Sequence, residues 1–450
     1  MSSLPSAFIE KINKQFGAEA GALLSSLDAE PKTSVHINQE KGWDLFSGET
    51  SVPWFKNGRI LSQRPSFTLD PLFHAGAYYP QESSSMFLHY ILEKLLSGKE
   101  DPTCLDLCAA PGGKSILISA FLGKNGRLIS NEINRQRNSV LRENLIKWGG
   151  SNTIVTCNEP RDFTAVHAYF DCIMVDAPCS GEGMFRKDLN ARAEWSPDNV
   201  NLCSIRQKKI LEDVAPSLKT GGYLIYSTCT FSREENEDIC KWLIDSGEFE
   251  FVRIEVPAEW SIRTTDLNGT FGLQFLPHLV PGEGFFTAVF RKITGENSIF
   301  RGRPKAVFGR PSKPEIEQLK LWAHTEGMKD IVLTSQDDVC ASPFSLDELN
   351  GLANHLYITL SGVELGRFMK KDFIPAHALS LSGLRSDRIA AVDVNAEDAL
   401  KFLRGEGIST NAEPGWTIIS YRDRPVGWIK ALQNRSNNYY PKEWRIKMRG

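Results

Sequence analysis

Asp106-Leu107-Cys108-Ala109-Ala110-Pro111-Gly112-Gly113-Lys114-Ser115 is the stretch on which the fold turns. An apolar run, Thr103 to Leu107, leads into it, and a helical pattern, Lys114 to Leu122, leads out. Small residues and two glycines let a backbone approach a ligand closely, and the first N–H groups of the following helix point at it. A Walker phosphate loop needs Gly-x-x-x-x-Gly-Lys-Ser/Thr. Gly113-Lys114-Ser115 fits its end, but Cys108 stands where the first glycine belongs, and G-x-G-x-x-G is absent too. What remains is a nucleoside ligand without a polyphosphate, such as S-adenosylmethionine, or a turn that only packs helix on strand. The turn alone leaves both open.

Outward from this turn, strands and helices alternate. Arg127 to Ile133 is a predicted strand carrying Glu132, a carboxylate where Rossmann-like folds hold ribose hydroxyls. That carboxylate favours the ligand. A helix over Arg135 to Trp148 follows, then strands over Thr153 to Cys157 and Cys172 to Val175. A long helix, Val200 to Leu218, is expected to close at Gly221-Gly222 before a strand at Tyr223 to Ser227. A helix over Glu234 to Ile244 and an antiparallel pair, Phe271 to Leu276 with Phe285 to Arg291, complete the unit. Such alternation predicts an α/β chain whose parallel sheet is covered on both faces. Upstream, Phe8, Ile9, Ile12 and Phe16 at helical spacing predict amphipathic helices, and Thr33 to Asn38 a strand. Downstream, the Pro-, Gly- and base-rich stretch ending at Pro314 reads as a linker. The expected organisation is an N-terminal α+β accessory region (1–100), a Rossmann-like domain (101–295), a linker (296–314) and a C-terminal α+β domain (315–450).

The 450 residues are too many for one core. Net charge is −3, but unevenly spread. Residues 1–300 carry 30 basic against 37 acidic side chains, and residues 301–450 carry 22 against 18. The last thirty residues hold eight basic and two acidic, enough to grip phosphates locally or merely to solubilise the end. Nine cysteines form no CxxC pair and no metal-ligand pattern with histidine, so no metal is expected. With no secretory segment at the start and no apolar run of bilayer length, reduced thiols in a cytoplasmic protein are expected, with no membrane partner.

Cys179 and Cys229 each end a predicted strand, so a parallel sheet opens both onto one crevice. A thiolate is well suited to add to an unreactive ring carbon, and a second thiol can assist. Free cysteines are otherwise small buried apolar residues.

Three segments carry a resemblance: 106–114, Asp176-Ala177-Pro178-Cys179-Ser180-Gly181-Glu182-Gly183, and Tyr226-Ser227-Thr228-Cys229-Thr230 with Glu234-Glu235-Asn236-Glu237. In order and spacing they resemble the Sun/nucleolar-protein family of RNA 5-methylcytosine methyltransferases, over roughly residues 30–293. Gly366-Arg367-Phe368, Pro375 to Leu379 and Asn437 to Lys442 resemble the PUA-like tail of its bacterial small-subunit ribosomal RNA methyltransferase F subgroup. The resemblance implies a Rossmann-like methyltransferase sheet. Cys229 would be the nucleophile, Cys179 would help release product, and Asp176 would bond the cytosine near N3. Cys108, Ala109, Ala110, Pro111, Gly112, Gly113, Lys114, Glu132 and Asp176 would line the S-adenosylmethionine site. Lys114 could supply positive charge that favours a thiolate.

Two departures stand out. Asn158 occupies the position after the third strand where the family usually has Asp, with Asp162 as the nearby substitute, and His36 stands where the family often has Arg. Phe185, Arg186 and Lys187, and the terminal Trp428, Tyr439, Tyr440 and Trp444, are candidate RNA contacts. The implied substrate is cytidine in small-subunit (16S) ribosomal RNA, free or in an assembled subunit, acted on by a monomer. A transfer RNA substrate, a DNA cytosine methyltransferase and a catalytically idle ribosome-assembly factor are the rivals.

Overall fold

The computed structural model describes residues 4–267, 270–295, 306–370, 372–433 and 435–448. Part of the expected linker, residues 296–305, lies outside them.

The N-terminal region begins with a helix over Ser6–Phe16 that buries Phe8, Ile12 and Phe16, the spacing of one helical face. Four strands follow as one antiparallel sheet: β1 Thr33–Ile37, β2 Thr50–Val52, β3 Phe55–Leu61 and β4 Tyr78–Pro80, ordered β2-β3-β1-β4.

The central sheet has ten strands. Its parallel core is β5 Thr103–Asp106, β6 Arg127–Asn131, β7 Thr153–Thr156, β8 Phe170–Asp176 and β9 Leu218–Thr228. The order β9-β8-β5-β6-β7 puts the switch in strand direction of build-up beside β5, where a crevice forms at the carboxyl ends. β10 Phe249–Phe251, β11 Arg263–Leu267, β12 Thr270–Phe275 and β13 Phe285–Lys292 extend the sheet antiparallel beyond β9. The strand interiors are apolar on both faces because helices cover both. Leu105, Ile129, Ile173 and Tyr226 pack to one side, and Cys104, Leu128, Met174 and Ile225 to the other.

Two sequence expectations shift here. The long helix is Pro197–Val214, capped at its start by Ser196, and it does not end at Gly221-Gly222. Those glycines lie inside β9, where Leu218 already pairs with Phe170 and the register slips before Tyr223 meets Cys172. Glycine in a strand marks such an irregularity as readily as it caps a helix. Secondly, Pro314, taken as linker, sits in the first turn of a helix over Lys313–Leu319 that Ser312 and Glu315 cap reciprocally.

The C-terminal residues form two further four-stranded sheets. One contains β14 Asp330–Leu333, β15 Asp338–Ser342, β17 Val363–Met369 and β18 Asp372–Pro375. The other contains β19 Ala391–Asp393, β20 Gly415–Tyr421, β21 Arg424–Ala431 and β22 Ser436–Asn438. Between β15 and β17 in the chain, β16 Ile358–Leu360 leaves its own neighbours and pairs antiparallel with β7 at the edge of the central sheet. An otherwise open edge is thereby covered. Phe308, Phe344, Leu349 and Leu352 join the apolar cluster under the same sheet. The far end closes back on the N-terminal region: Arg424 pairs with Asp44, and the Lys147 ammonium sits 5.4 Å from the Phe73 ring and 5.5 Å from that of Trp444. No helix among the described residues is long and apolar enough to cross a membrane.

Candidate active site

β5 delivers Asp106 to the crevice floor, and the chain turns through 107–112 into a helix over Gly113–Leu122. Gly112 adopts φ 121°, a conformation that a Cβ would strain. Asp106 is fully buried. Its Oδ2 accepts from Ser115 Oγ at 2.6 Å, and its Oδ1 has no partner. Burial pushes this carboxyl up to about 7, against the pull of the Ser115 bond. Ala109 N–H donates to Asn131 O at 2.8 Å, which ties the turn to β6. Glu132 follows β6, is 3% exposed, and accepts from Asn134 N–H at 2.9 Å. Arg137 approaches its Oε2 at 3.5 Å and donates to Ala110 O at 2.7 Å. Cys108, Ala109, Ala110, Gly112, Gly113, Lys114 and Glu132 thus form one strip around the turn, with Pro111 exposed at its rim.

Asn158 is placed differently from a free ligand group. Its Oδ1 accepts from Tyr357 N–H at 2.9 Å, and its Nδ2 donates to Asp162 Oδ2 at 3.3 Å. Asp162 in turn caps its own short helix through Glu159 N–H. Asn158 thus joins the end of β7 to the β16 segment, and Asp162 holds the Asn158 amide from the other side.

β8 and β9 carry the two thiols. Cys179 Sγ and Cys229 Sγ stand 3.2 Å apart as free cysteines, and Cys229 N–H donates to Cys179 Sγ at 3.3 Å. The hydrogen bond to Cys229, together with burial, pushes the Cys179 thiol well above its ordinary range. Asp176, at the end of β8, accepts from Ser227 Oγ at 2.6 Å and pairs with Lys114 Nζ at 2.8 Å. Burial works against the Lys114 ammonium, yet Asp176, Asp106 and Cys229 outweigh it and keep the amine charged. Cysteine pair, carboxylate and ammonium therefore form one continuous cluster.

Two buried carboxylates staple the cysteine loops to each other. Glu182, from the Cys179 loop, accepts from Phe231 N–H (2.9 Å), Ser232 Oγ (2.5 Å) and Trp195 Nε1 (2.9 Å). Glu235, from the Cys229 loop, accepts from Ser180 N–H (2.9 Å), Ser180 Oγ (2.5 Å) and Gln207 Nε2 (3.0 Å). Gly183 N–H reaches Cys229 O at 2.8 Å, and a Cβ at Gly183 would stand 2.4 Å from Gly284 O. The N-terminal helix braces the arrangement: Lys11 Nζ lies 2.5 Å from Ser232 Oγ and 3.6 Å from Glu182, and Gln15 holds Phe231 O. Glu182 and Glu235 lie inside the sequence segments that carry the resemblance but have no role assigned there, and nothing local marks Lys11.

Several expected RNA contacts are corrected. Phe185 is fully buried, its ring 4.9 Å from Phe8 and packed in the cluster with Trp195. Arg186 is spent on Glu283 at 2.9 Å, with both side chains buried, whereas Lys187 stays exposed with its ammonium 3.4 Å from the same carboxylate. His36 is buried between Phe55 and Trp148, and burial drives it down to about 3, so it is neutral and away from solvent. At the C-terminus Trp428 and Tyr440 are core, whereas Tyr439 is 40% exposed and packs on Trp416.

Comparison with known proteins matches three segments in order. Residues 4–83 match the N-terminal domain of 16S rRNA methyltransferase RsmF, residues 93–291 match 16S rRNA methyltransferase RsmB/F, and residues 390–446 match the methyltransferase RsmF PUA domain. The ribosomal RNA small subunit methyltransferase F of Escherichia coli O1:K1 is 29% identical over 434 residues, 92% of this chain and 88% of the relative. The protein from strain HS is 29% identical over 426 residues, 91% and 86% of the two chains. Among solved structures, a methyltransferase homolog from Pyrococcus horikoshii superposes with a TM-score of 0.55 at 26% identity, over 64% of this chain and 95% of its own. NSun6 from the same organism, solved with SFG, shares the fold at a TM-score of 0.54 and 20% identity, over 65% and 100%. The N-terminal, catalytic and PUA segments of the RsmB/F methyltransferases are thus all matched along this chain, in that order.

Proposed function

We propose that this methyltransferase transfers a methyl group from S-adenosylmethionine to carbon 5 of a cytidine in small-subunit ribosomal RNA, through a transient bond between Cys229 sulfur and cytosine C6. The observation that carries this reading is the pair of free sulfurs 3.2 Å apart at neighbouring strand ends, with the Lys114–Asp176 ion pair in the same cluster. The name of the E. coli relatives supports the ribosomal substrate.

The turn suits an S-adenosyl group. Its side chains are small, Glu132 ends the next strand where a ribose diol needs an acceptor, and Asp106 Oδ1 lies orphaned beneath. Bound there, that group supplies an electrophilic methyl. Cytosine C5 is too weak a nucleophile to take it unaided. The Cys229 thiolate adds to C6, and the electron pair of the C5–C6 double bond becomes available at C5. The Lys114 ammonium and the Cys179 thiol next to Cys229 favour negative charge on that sulfur. The Asp176 carboxylate accepts a hydrogen bond from the exocyclic amino group beside N3 and so holds the ring in place for the attack. After methylation, the C5 proton leaves to a base and the C6–S bond breaks, which restores the double bond and returns the thiolate.

Its hydrogen bond to Cys229 and its burial hold Cys179 protonated, so it is not that base at the outset. Once Cys229 becomes a thioether, the hydrogen bond that raises Cys179 most is lost, and the Cys179 thiol becomes easier to ionise. This ordering makes Cys179 a donor during attack and a base during release.

The test uses purified full-length chain and small-subunit RNA. Cys229→Ser is expected to abolish methyl transfer without weakening cofactor binding. Cys179→Ser is expected to accumulate a protein–RNA adduct that survives denaturation. Full activity in the first variant would refute the assignment of Cys229. Absence of adduct in the second would remove Cys179 from release. Bisulfite mapping of RNA from cells with and without the protein reads out base and position.

A further inference from the structure

We infer that Tyr357, from the C-terminal half of the chain, forms one wall of the nucleobase end of the cofactor pocket. The inference rests on the S-adenosylmethionine reading above.

The ribose-type carboxylate, Glu132, ends β6, and the next strand outward is β7. A base attached to a ribose at Glu132 extends away from the Lys114 and Cys229 cluster, toward the carboxyl end of β7. Two large apolar side chains stand exposed there: Ile133 at 55% and Tyr357 at 65%. Neither contributes to the packed clusters beneath the sheet. Tyr357 is fixed at this spot through its backbone. Its C=O accepts from Cys157 N–H at 2.9 Å, and its N–H donates to Asn158 Oδ1 at 2.9 Å. Cys157 Sγ in turn lies 3.5 Å from Ile133 O, so the two exposed residues are joined through a single intervening residue. Behind them, Thr359 Oγ1 bonds Asn138 Oδ1 at 3.0 Å, which fastens the segment to the helix that follows Glu132.

The amide of Asn158 is thus not left free to meet an adenine edge. It positions the backbone of Tyr357 instead, and the aromatic ring offers what the amide does not, a flat face for a purine. An anchored, exposed tyrosine one residue's reach from an exposed isoleucine offers apolar surface and a flat face to a planar ring. It follows that the C-terminal half contributes to cofactor affinity as well as to RNA binding.

The test is calorimetric titration of the full chain with S-adenosylhomocysteine and, separately, with adenosine. Tyr357→Ala is expected to weaken both by a similar factor of about ten, the worth of one aromatic–base stack. Tyr357→Phe is expected to bind like the parent, since the ring and not the hydroxyl makes the contact. Unchanged affinities in a folded Tyr357→Ala variant overturn the inference while the cofactor reading stands. A parent chain that binds neither ligand overturns the cofactor reading itself. Weakened binding in Tyr357→Ala that Tyr357→Phe fails to restore also overturns the stacking role.

Discussion

Glu182→Gln is the substitution that most directly probes how the two cysteines are held in register. Glu182 is fully buried, and both of its oxygens only accept. Oε2 takes Phe231 N–H, while Oε1 takes Trp195 Nε1–H and Ser232 O–H, with Lys11 at 3.6 Å. A glutamine keeps one acceptor and turns the other into a donor. In one orientation its NH2 faces the Phe231 N–H, and in the other it faces the indole and hydroxyl donors. Either way at least one buried donor loses its partner, at roughly 1–3 kcal/mol, and the surviving bonds lose their charge assistance. A total of about 2–4 kcal/mol is expected, a large share of the roughly 5–15 kcal/mol that holds a domain folded. Because Phe231 and Ser232 follow directly on the Cys229 loop, Cys229 should also lose its fixed approach to the ring. A displacement near 1 Å costs about 100-fold in rate. Urea unfolding should therefore show a lower midpoint, and single-turnover methyl transfer should fall by about that factor with S-adenosylhomocysteine affinity unchanged. Parent-like unfolding together with parent-like turnover would refute the stapling argument.

The buried acid Asp106 gives a pH signature. Its carboxyl stays protonated in the folded chain up to about 7, whereas an unfolded carboxyl ionises near 4, so its contribution to stability falls as pH rises from about 4 to about 7. Asp106→Asn should flatten that fall, read as the difference in unfolding midpoint between variant and parent at pH 5 and pH 7.5; an equal difference at both values would refute it. His36→Arg should destabilise the chain, because a guanidinium has no partner between Phe55 and Trp148. A parent-like melting temperature with tighter RNA binding would contradict the buried, neutral histidine. Phe185→Ala should cost about 3–5 kcal/mol by opening a cavity against Phe8 and Trp195. If stability holds and only RNA affinity drops, the ring is not core.

Local patterns made the central sheet legible. The run into Asp106, the helix over Arg135–Trp148 and the antiparallel strands at 270–275 and 285–292 follow from alternation, glycine turns and apolar spacing, which act over a few residues. Gly221-Gly222 misled because the same glycine pair suits a helix end and a strand irregularity, and only pairing between Leu218 and Phe170 distinguishes them. Phe185 and Arg186 read as part of an RNA-facing loop because a glycine-rich neighbour and adjacent basic residues suggest exposure, which only Lys187 has. Their partners, Phe8 and Glu283, lie far away in the chain, and local composition carries no trace of them.

The sequence by itself determined the parallel sheet, the glycine turn after its first strand and the placement of one cysteine at each of two strand ends, because side-chain periodicity and turn chemistry are local. Only the tertiary structure decided that those sulfurs approach to 3.2 Å, that Glu182 and Glu235 hold them there, and that β16 crosses from the C-terminal half to finish the sheet edge. Contacts across 50 to 200 residues depend on how complete elements pack, and that free energy is a property of the assembled fold and not of any one segment.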